Sequence, residues 1–149
     1  MKKLISLIAL AVAAAALASS ATSAAQGGAK VTLGRSTLGR VLVDGNGRTL
    51  YLFEKDKHGR SSCTGACAAY WPPLLPHAKP VAAAGVKASL LGVTRRTDGS
   101  SQVTYAGHPL YRFALDAKPG QMRGQDLHDF GAGWYVLSAA GKKIEKAGD

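Results

Sequence analysis

Residues 61–67, Ser-Ser-Cys-Thr-Gly-Ala-Cys, hold both cysteines of the chain, Cys63 and Cys67. Two thiols four positions apart can close a disulfide, or as thiolates give two soft ligands to a metal. In an oxidising compartment an even cysteine count points first to a disulfide. Gly65 supplies the backbone freedom that so tight a loop requires. The metal reading is Cu(I), with His58 or His77 completing the set and Met122 further off. Zinc would need four ligands and a second cysteine pair, and haem attachment a Cys-x-x-Cys-His run; the sequence carries neither.

The other groups able to do chemistry are dispersed. His58, His77, His108 and His128 form no pair at helical metal-ligand spacing, and each lies in or beside a predicted turn. Asp56 and Asp116 suggest a carboxylate pair of the hydrolase kind. Each precedes a turn, where aspartate commonly accepts from following backbone amides, so a structural role is expected for both. Asp44-Gly45-Asn46-Gly47-Arg48 looks like the start of a calcium loop, but Lys55 stands at the twelfth position, and a hairpin turn is the better reading. There is no Gly-x-Ser-x-Gly, phosphate loop or His-Glu-x-x-His, so the sequence favours a non-enzymatic protein.

The aspartates belong to a repeat. Residues 49–56, TLYLFEKD, align with residues 109–116, PLYRFALD, at an offset of 60. The shared positions are Leu50, Tyr51, Phe53 and Asp56 in one copy and Leu110, Tyr111, Phe113 and Asp116 in the other. Val43 and Gly47 match Val103 and Gly107 at the same offset, and a tryptophan follows each copy, Trp71 and Trp134. Each copy reads as a hairpin: 41–43 returning through 49–53, and 102–105 returning through 110–113. A third is expected from 134–137 and 142–144. Alternation puts Tyr51, Phe53, Tyr111 and Phe113 on core-facing sides and leaves the opposite face, with Arg112, partly wet. The alanine-rich stretch 78–91 reads as a linker with at most a short helix near 86–91. Pro72, Pro73 and Pro76 argue against regular structure there. The predicted fold is mostly β: a small antiparallel domain of two pseudo-equivalent repeats, about 41–77 and 101–137, with little helix outside the leader.

That leader is residues 1–25. Lys2 and Lys3, a short apolar run from Leu4 to Leu17, and small residues up to Ala25 have the order of a secretory signal peptide, with cleavage expected after Ala25. The run is too short to span a bilayer, and no cysteine lies near the junction to carry lipid. The chain expected after cleavage, residues 26–149, is one secreted β domain with 17 basic residues against 9 acidic. That balance suits anionic envelope components. The basic residues are scattered, without the dense run of a specific nucleic-acid binder.

Four segments, GRTLYLFEKD, CTGACAAYWPPL, QVTYAGHPLYRFALD and GAGWYVLS, resemble a bacterial secreted-repeat family described as predicted lipoproteins with a tyrosine-x-aromatic-x-x-aspartate motif. The resemblance implies a small exported protein with two such repeats and no established biochemical role. The missing lipidation cysteine departs from the lipoprotein label. The expected function is therefore a binding or structural protein of the envelope, periplasm or medium, without a cofactor. The alternatives are copper-handling or thiol-redox work at Cys63 and Cys67, and a hydrolase using Asp56 and Asp116.

Overall fold

The structure, a computed structural model, describes residues 28–148; the expected signal peptide lies outside them. Strand β1 (Lys30–Ser36) pairs antiparallel with β2 (Gly39–Asp44), from Val31 opposite Asp44 to Ser36 opposite Gly39. The Ser36 hydroxyl donates to the Gly39 carbonyl and accepts from the Leu38 amide, fixing the turn. A second antiparallel pair, β5 (Leu91–Arg95) with β6 (Ser101–Tyr105), stands at the corresponding place in the second half, followed by β7 (His108–Pro109). The sequence reading began its repeats after β1 and β5. In both, glycine and short runs dilute the period-two signal (KVTLGRS and LGVTR). The linker also has more order than expected. β4 (Val81–Ala82) adds to β1 in parallel, and a single 3-10 turn, Ala88–Leu90, runs into β5.

The motif strands do not return along their own hairpins. After the Val43–Thr49 bridge and the bond from the Leu50 amide to the Leu42 carbonyl, β3 (Tyr51–Phe53) leaves β2 and pairs antiparallel with β8 (Trp134–Val136) of the second half. The second motif strand, residues 110–113, leans in turn on residues 70–74 of the first half. Leu74 N–H donates to Leu110, Arg112 N–H to Pro72 and Ala114 N–H to Tyr70. The prolines limit this side to an isolated bridge, because neither can donate a ladder bond. The two halves are thus interlocked. At the crossing, Tyr51 and Tyr111 exchange both backbone bonds, 2.8 and 3.0 Å.

The two hairpin turns differ by one residue. Leu50 bonds back to Leu42, whereas Leu110 bonds back to Val103. Leu42, and not Val43, is therefore the counterpart of Val103, and both lie in the same core cluster. The second turn is tight, with positive φ at Ala106 and Gly107. The first is longer, held by the Asp44 carboxylate, which accepts from the Asn46 and Arg48 amides.

The core has two layers. Tyr51, Phe53, Trp71, Tyr111, Phe113 and Trp134 form an aromatic cluster with the two cysteines. Leu42, Leu50, Leu52, Leu74, Val103, Leu110 and Leu137 form an aliphatic one on the other face of the strands. The face expected to be partly wet is thus a second core, since Leu50 and Leu110 are fully buried; Arg112 alone of that face of its strand reaches solvent. The expected third hairpin forms: Ile144 N–H donates to Val136, and Gly141 N–H to Ser138.

Candidate functional site

The motif residues assemble across the halves. The Tyr51 hydroxyl donates to Asp116 Oδ2 at 2.6 Å, and the Tyr111 hydroxyl to Asp56 Oδ2 at 2.7 Å. Each aspartate then turns its other oxygen to its own loop. Asp116 Oδ1 accepts from the Arg123 amide, and Asp56 Oδ1 from the amide and hydroxyl of Ser62. Each carboxylate therefore ties the loop of one repeat to the tyrosine of the other. Burial raises both phenols far above their ordinary range, and the partner carboxylate adds to this in each case. Burial also raises Asp56, against the opposing bonds from Ser62 and Tyr111. No hydrogen bond joins the two carboxylates to each other. Asp116 is 1 % exposed, and Asp56 borders a cleft that Asp116 does not line.

Between these bridges the rings stack. Phe53 lies on Trp134 at 4.0 Å, Trp134 on Trp71 at 3.8 Å, and Trp71 on Phe113 at 4.3 Å. Tyr51 and Tyr111 meet Trp71 and Trp134 edge-on, the other favoured geometry for aromatic pairs. Gly124 is pressed against this stack. A Cβ there would stand 2.6 Å from Trp71 Cη2, and its amide donates to the Tyr51 hydroxyl. Cys63 and Cys67 are joined in a disulfide beside the stack. The bridge closes onto the short helix α1 (Ala66–Tyr70), whose last turn delivers Trp71 through the bond from the Trp71 amide to the Cys67 carbonyl. With the sulfurs joined, neither is a thiolate. Among the described residues no group of three or more His, Cys, Asp or Glu side chains is placed to hold a metal.

The histidines stay apart. His58 takes a positive φ in its turn, His77 lines one surface cleft, His108 lines another and is lowered by burial, and His128 meets Tyr135 edge-on. Buried Arg96 went unnoticed in the sequence. Its guanidinium reaches from the second half to the Ser61 hydroxyl, the Gln102 side chain and the Cys63 carbonyl. Only the adjacency of two arginines marked it, and nothing local says which of them turns inward.

The first cleft is lined by residues outside the motif frame, whereas the second reaches the frame at Phe53 and Asp56. The first, about 670 Å3, lies between the long first turn and the proline segment, with Lys30, Asp44, Asn46, His77 and Arg112 on its wall. Arg112 Nε donates to Asp44 Oδ2 at 2.6 Å. The second, about 680 Å3, is bordered by Asp56, Lys57, His108, Lys142 and Lys143. There Lys143 is engaged by Glu54 and Glu145.

An all-β frame of two interlocked repeats, each bringing one tyrosine, one aspartate and one tryptophan to a shared centre, defines an internally duplicated protein. A family model described as a secreted repeat of unknown function matches residues 32–75 and 92–138, and the chain belongs to that family. The matched spans take in most of β1 and of β5, each starting nine residues before the repeats read from the sequence. No curated protein and no solved structure matches the chain. Among the described residues no helix is long and apolar enough to cross a membrane.

Proposed function

We propose that the chain is a non-enzymatic binding protein of the cell envelope, exported with cleavage after Ala25 and working in the periplasm or medium without a lipid anchor. One observation carries this reading. The repeated polar groups, Tyr51, Tyr111, Asp56 and Asp116, spend their hydrogen bonds on joining the two halves; Asp116 is 1 % exposed, and the first cleft is lined by charged residues outside the motif. A hydrolase using both acids would present them on one cleft, whereas Asp56 borders the second cleft and Asp116 lines neither. Copper handling or thiol redox at Cys63 and Cys67 would have to begin by reducing a bridge buried beside the aromatic stack. The family's description as secreted and the basic surface both support an envelope location.

Co-sedimentation of residues 26–149 with isolated envelopes tests the proposal. The expected result is saturable binding that weakens as salt is raised, since exposed charges are screened. Asp56→Asn and Asp116→Asn should lower it only in proportion to the folded fraction lost. Protein that stays in the supernatant at every salt concentration, or turnover of an ester or glycoside reporter that either substitution abolishes while the fold is kept, would overturn it.

A further inference from the structure

The internal duplication supplies its own control. Where the halves carry the same side chain in the same place, the residue serves the frame. Where one half is filled and the other hollow, the difference needs another explanation. Arg112 occupies the position of Leu52, as the Tyr51–Tyr111 crossing fixes. Leu52 is buried in the aliphatic core opposite Tyr135. The same place around Arg112 and Pro72 is a cleft, and it contains the one-residue expansion of the first turn, which carries Asp44.

The chemistry of that cleft is specific. Both Asp44 oxygens are taken, one by the Asn46 and Arg48 amides and one by Arg112 Nε. Asp44 therefore orients the guanidinium without exposing negative charge; the residue is only 2 % exposed. The terminal nitrogens of Arg112 have no hydrogen-bond partner among the described residues, and its side chain remains 37 % exposed. Lys30 and His77 share the wall, and an adjoining hollow of about 300 Å3 brings Arg48 to the same Asp44–Arg112 pair. Three permanent cations thus surround one fully bonded carboxylate. Asn46 adds a polar side chain, and the segment Pro72, Pro73, Leu74 and the exposed Leu75 makes one side of the wall apolar. A fork of free N–H donors beside a hydrophobic wall, in a volume suited to a small ligand, is the pattern that recognises a planar or tetrahedral oxyanion on an apolar stem.

We infer that the Arg112 cleft binds an amphiphilic anion, a carboxylate or phosphate on an alkyl body, with the oxyanion on Arg112 and the stem along Pro72–Leu75. The inference rests on the proposed binding role. It names the ligand class for one of the two clefts.

Calorimetric titration of residues 26–149 with octanoate, octyl phosphate, octanamide and acetate tests it. Both octyl anions should bind with one-to-one stoichiometry. Octanamide, which lacks the charge, and acetate, which lacks the stem, should each be weaker by about tenfold or more, the value of one charge-assisted bond or a few buried methylenes. Arg112→Gln should lose about tenfold or more for both anions, and Arg112→Lys should recover part of it, because the charge returns without the fork. Leu75→Ser should weaken the octyl probes and leave acetate unchanged. Should Arg112→Gln fail to fold, Lys30→Gln combined with Leu75→Ser carries the same test from the rim of the cleft. Sedimentation with phosphatidylcholine vesicles, with and without phosphatidylglycerol, separates the sources. Arg112-dependent retention on the anionic vesicles identifies a lipid headgroup, and binding of octyl phosphate without retention identifies a free amphiphile. Equal binding of octanamide and octanoate, or anion binding unchanged in folded Arg112→Gln, would overturn the inference. If no probe binds while the protein still sediments with envelopes, the inference falls and the proposed function stands. If octyl phosphate binds and is hydrolysed, the cleft stands and the non-enzymatic reading falls.

Discussion

Replacing Tyr51 by Phe isolates one hydroxyl. The ring keeps its edge contacts with Trp71 and Phe113, and no cavity larger than an oxygen opens. What disappears is a 2.6 Å bond to Asp116 Oδ2 and the acceptor for the Gly124 amide, both buried. A bond to a charged group contributes about 1.5–3 kcal/mol, and an orphaned buried amide adds to the loss, so Tyr51→Phe should cost about 2–4 kcal/mol. Asp116→Asn keeps an acceptor for Arg123 but weakens its side of the bridge, for about 1–3 kcal/mol. The double variant should fall short of the sum by about 1–3 kcal/mol, the coupling of residues in direct contact. Tyr51→Phe with Asp56→Asn is the decisive comparison. These residues belong to the same repeat, and the Tyr51 hydroxyl and the Asp56 carboxylate share no hydrogen-bond partner, so their losses should add within about 0.5 kcal/mol. Urea unfolding of the six proteins, the wild type included, measures all of this. A coupling larger within the repeat than across it would refute the interlocked arrangement.

Other outcomes follow from the same geometry. Replacing both cysteines by Ser should cost about 2 kcal/mol, the chain-entropy value of so short a loop, read from the urea midpoint against wild type. Because burial raises Asp56 in the folded state, the folded protein holds that proton more tightly than the unfolded chain does. The stability from this group is fully present below its ordinary 3.8 and is lost as pH rises through the raised folded value. The stability of wild type relative to Asp56→Asn should therefore increase as pH is lowered from neutral through that window. A flat difference would count against a raised Asp56. Both tyrosines act at the other extreme. Their contribution is whole below 10.0 and drains away at more alkaline pH, so Tyr51→Phe and Tyr111→Phe should each flatten the alkaline loss of stability. Intact mass of protein recovered from its native host should correspond to a chain starting at Gln26 without acyl groups; the full-length mass would exclude the expected cleavage.

The sequence carried the frame further than its wiring. The Leu-Tyr-x-Phe-x-x-Asp repeat, the two tryptophans and the cysteine pair are recognisable from residue type and spacing, because burial of rings and closure of a five-residue loop are local demands. Turn chemistry located both hairpin turns for the same reason. Strand exchange was not legible. The bonds at Asp44-Gly45-Asn46-Gly47 extend back only to Leu42, and whether Tyr51 continues along β2 or crosses to Tyr111 depends on a strand 60 residues away. The second core layer was hidden by Arg112. One charged residue in the alternation suggested a wet face, although Leu50, Leu52 and Leu110 fill the rest of it. Asp44 and Arg112 are 68 residues apart, and each had a sufficient local reading of its own, a turn and a solvated charge.

The interlock also sets when the protein can become itself. The first repeat has its own hairpin and its own disulfide, yet β3 waits for β8 and Trp71 for Trp134, a ring 63 residues further along. A chain emerging from the ribosome thus remains without its centre until the second tryptophan has been made. Duplication with exchanged strands makes the folding of the first repeat's centre wait on the second repeat.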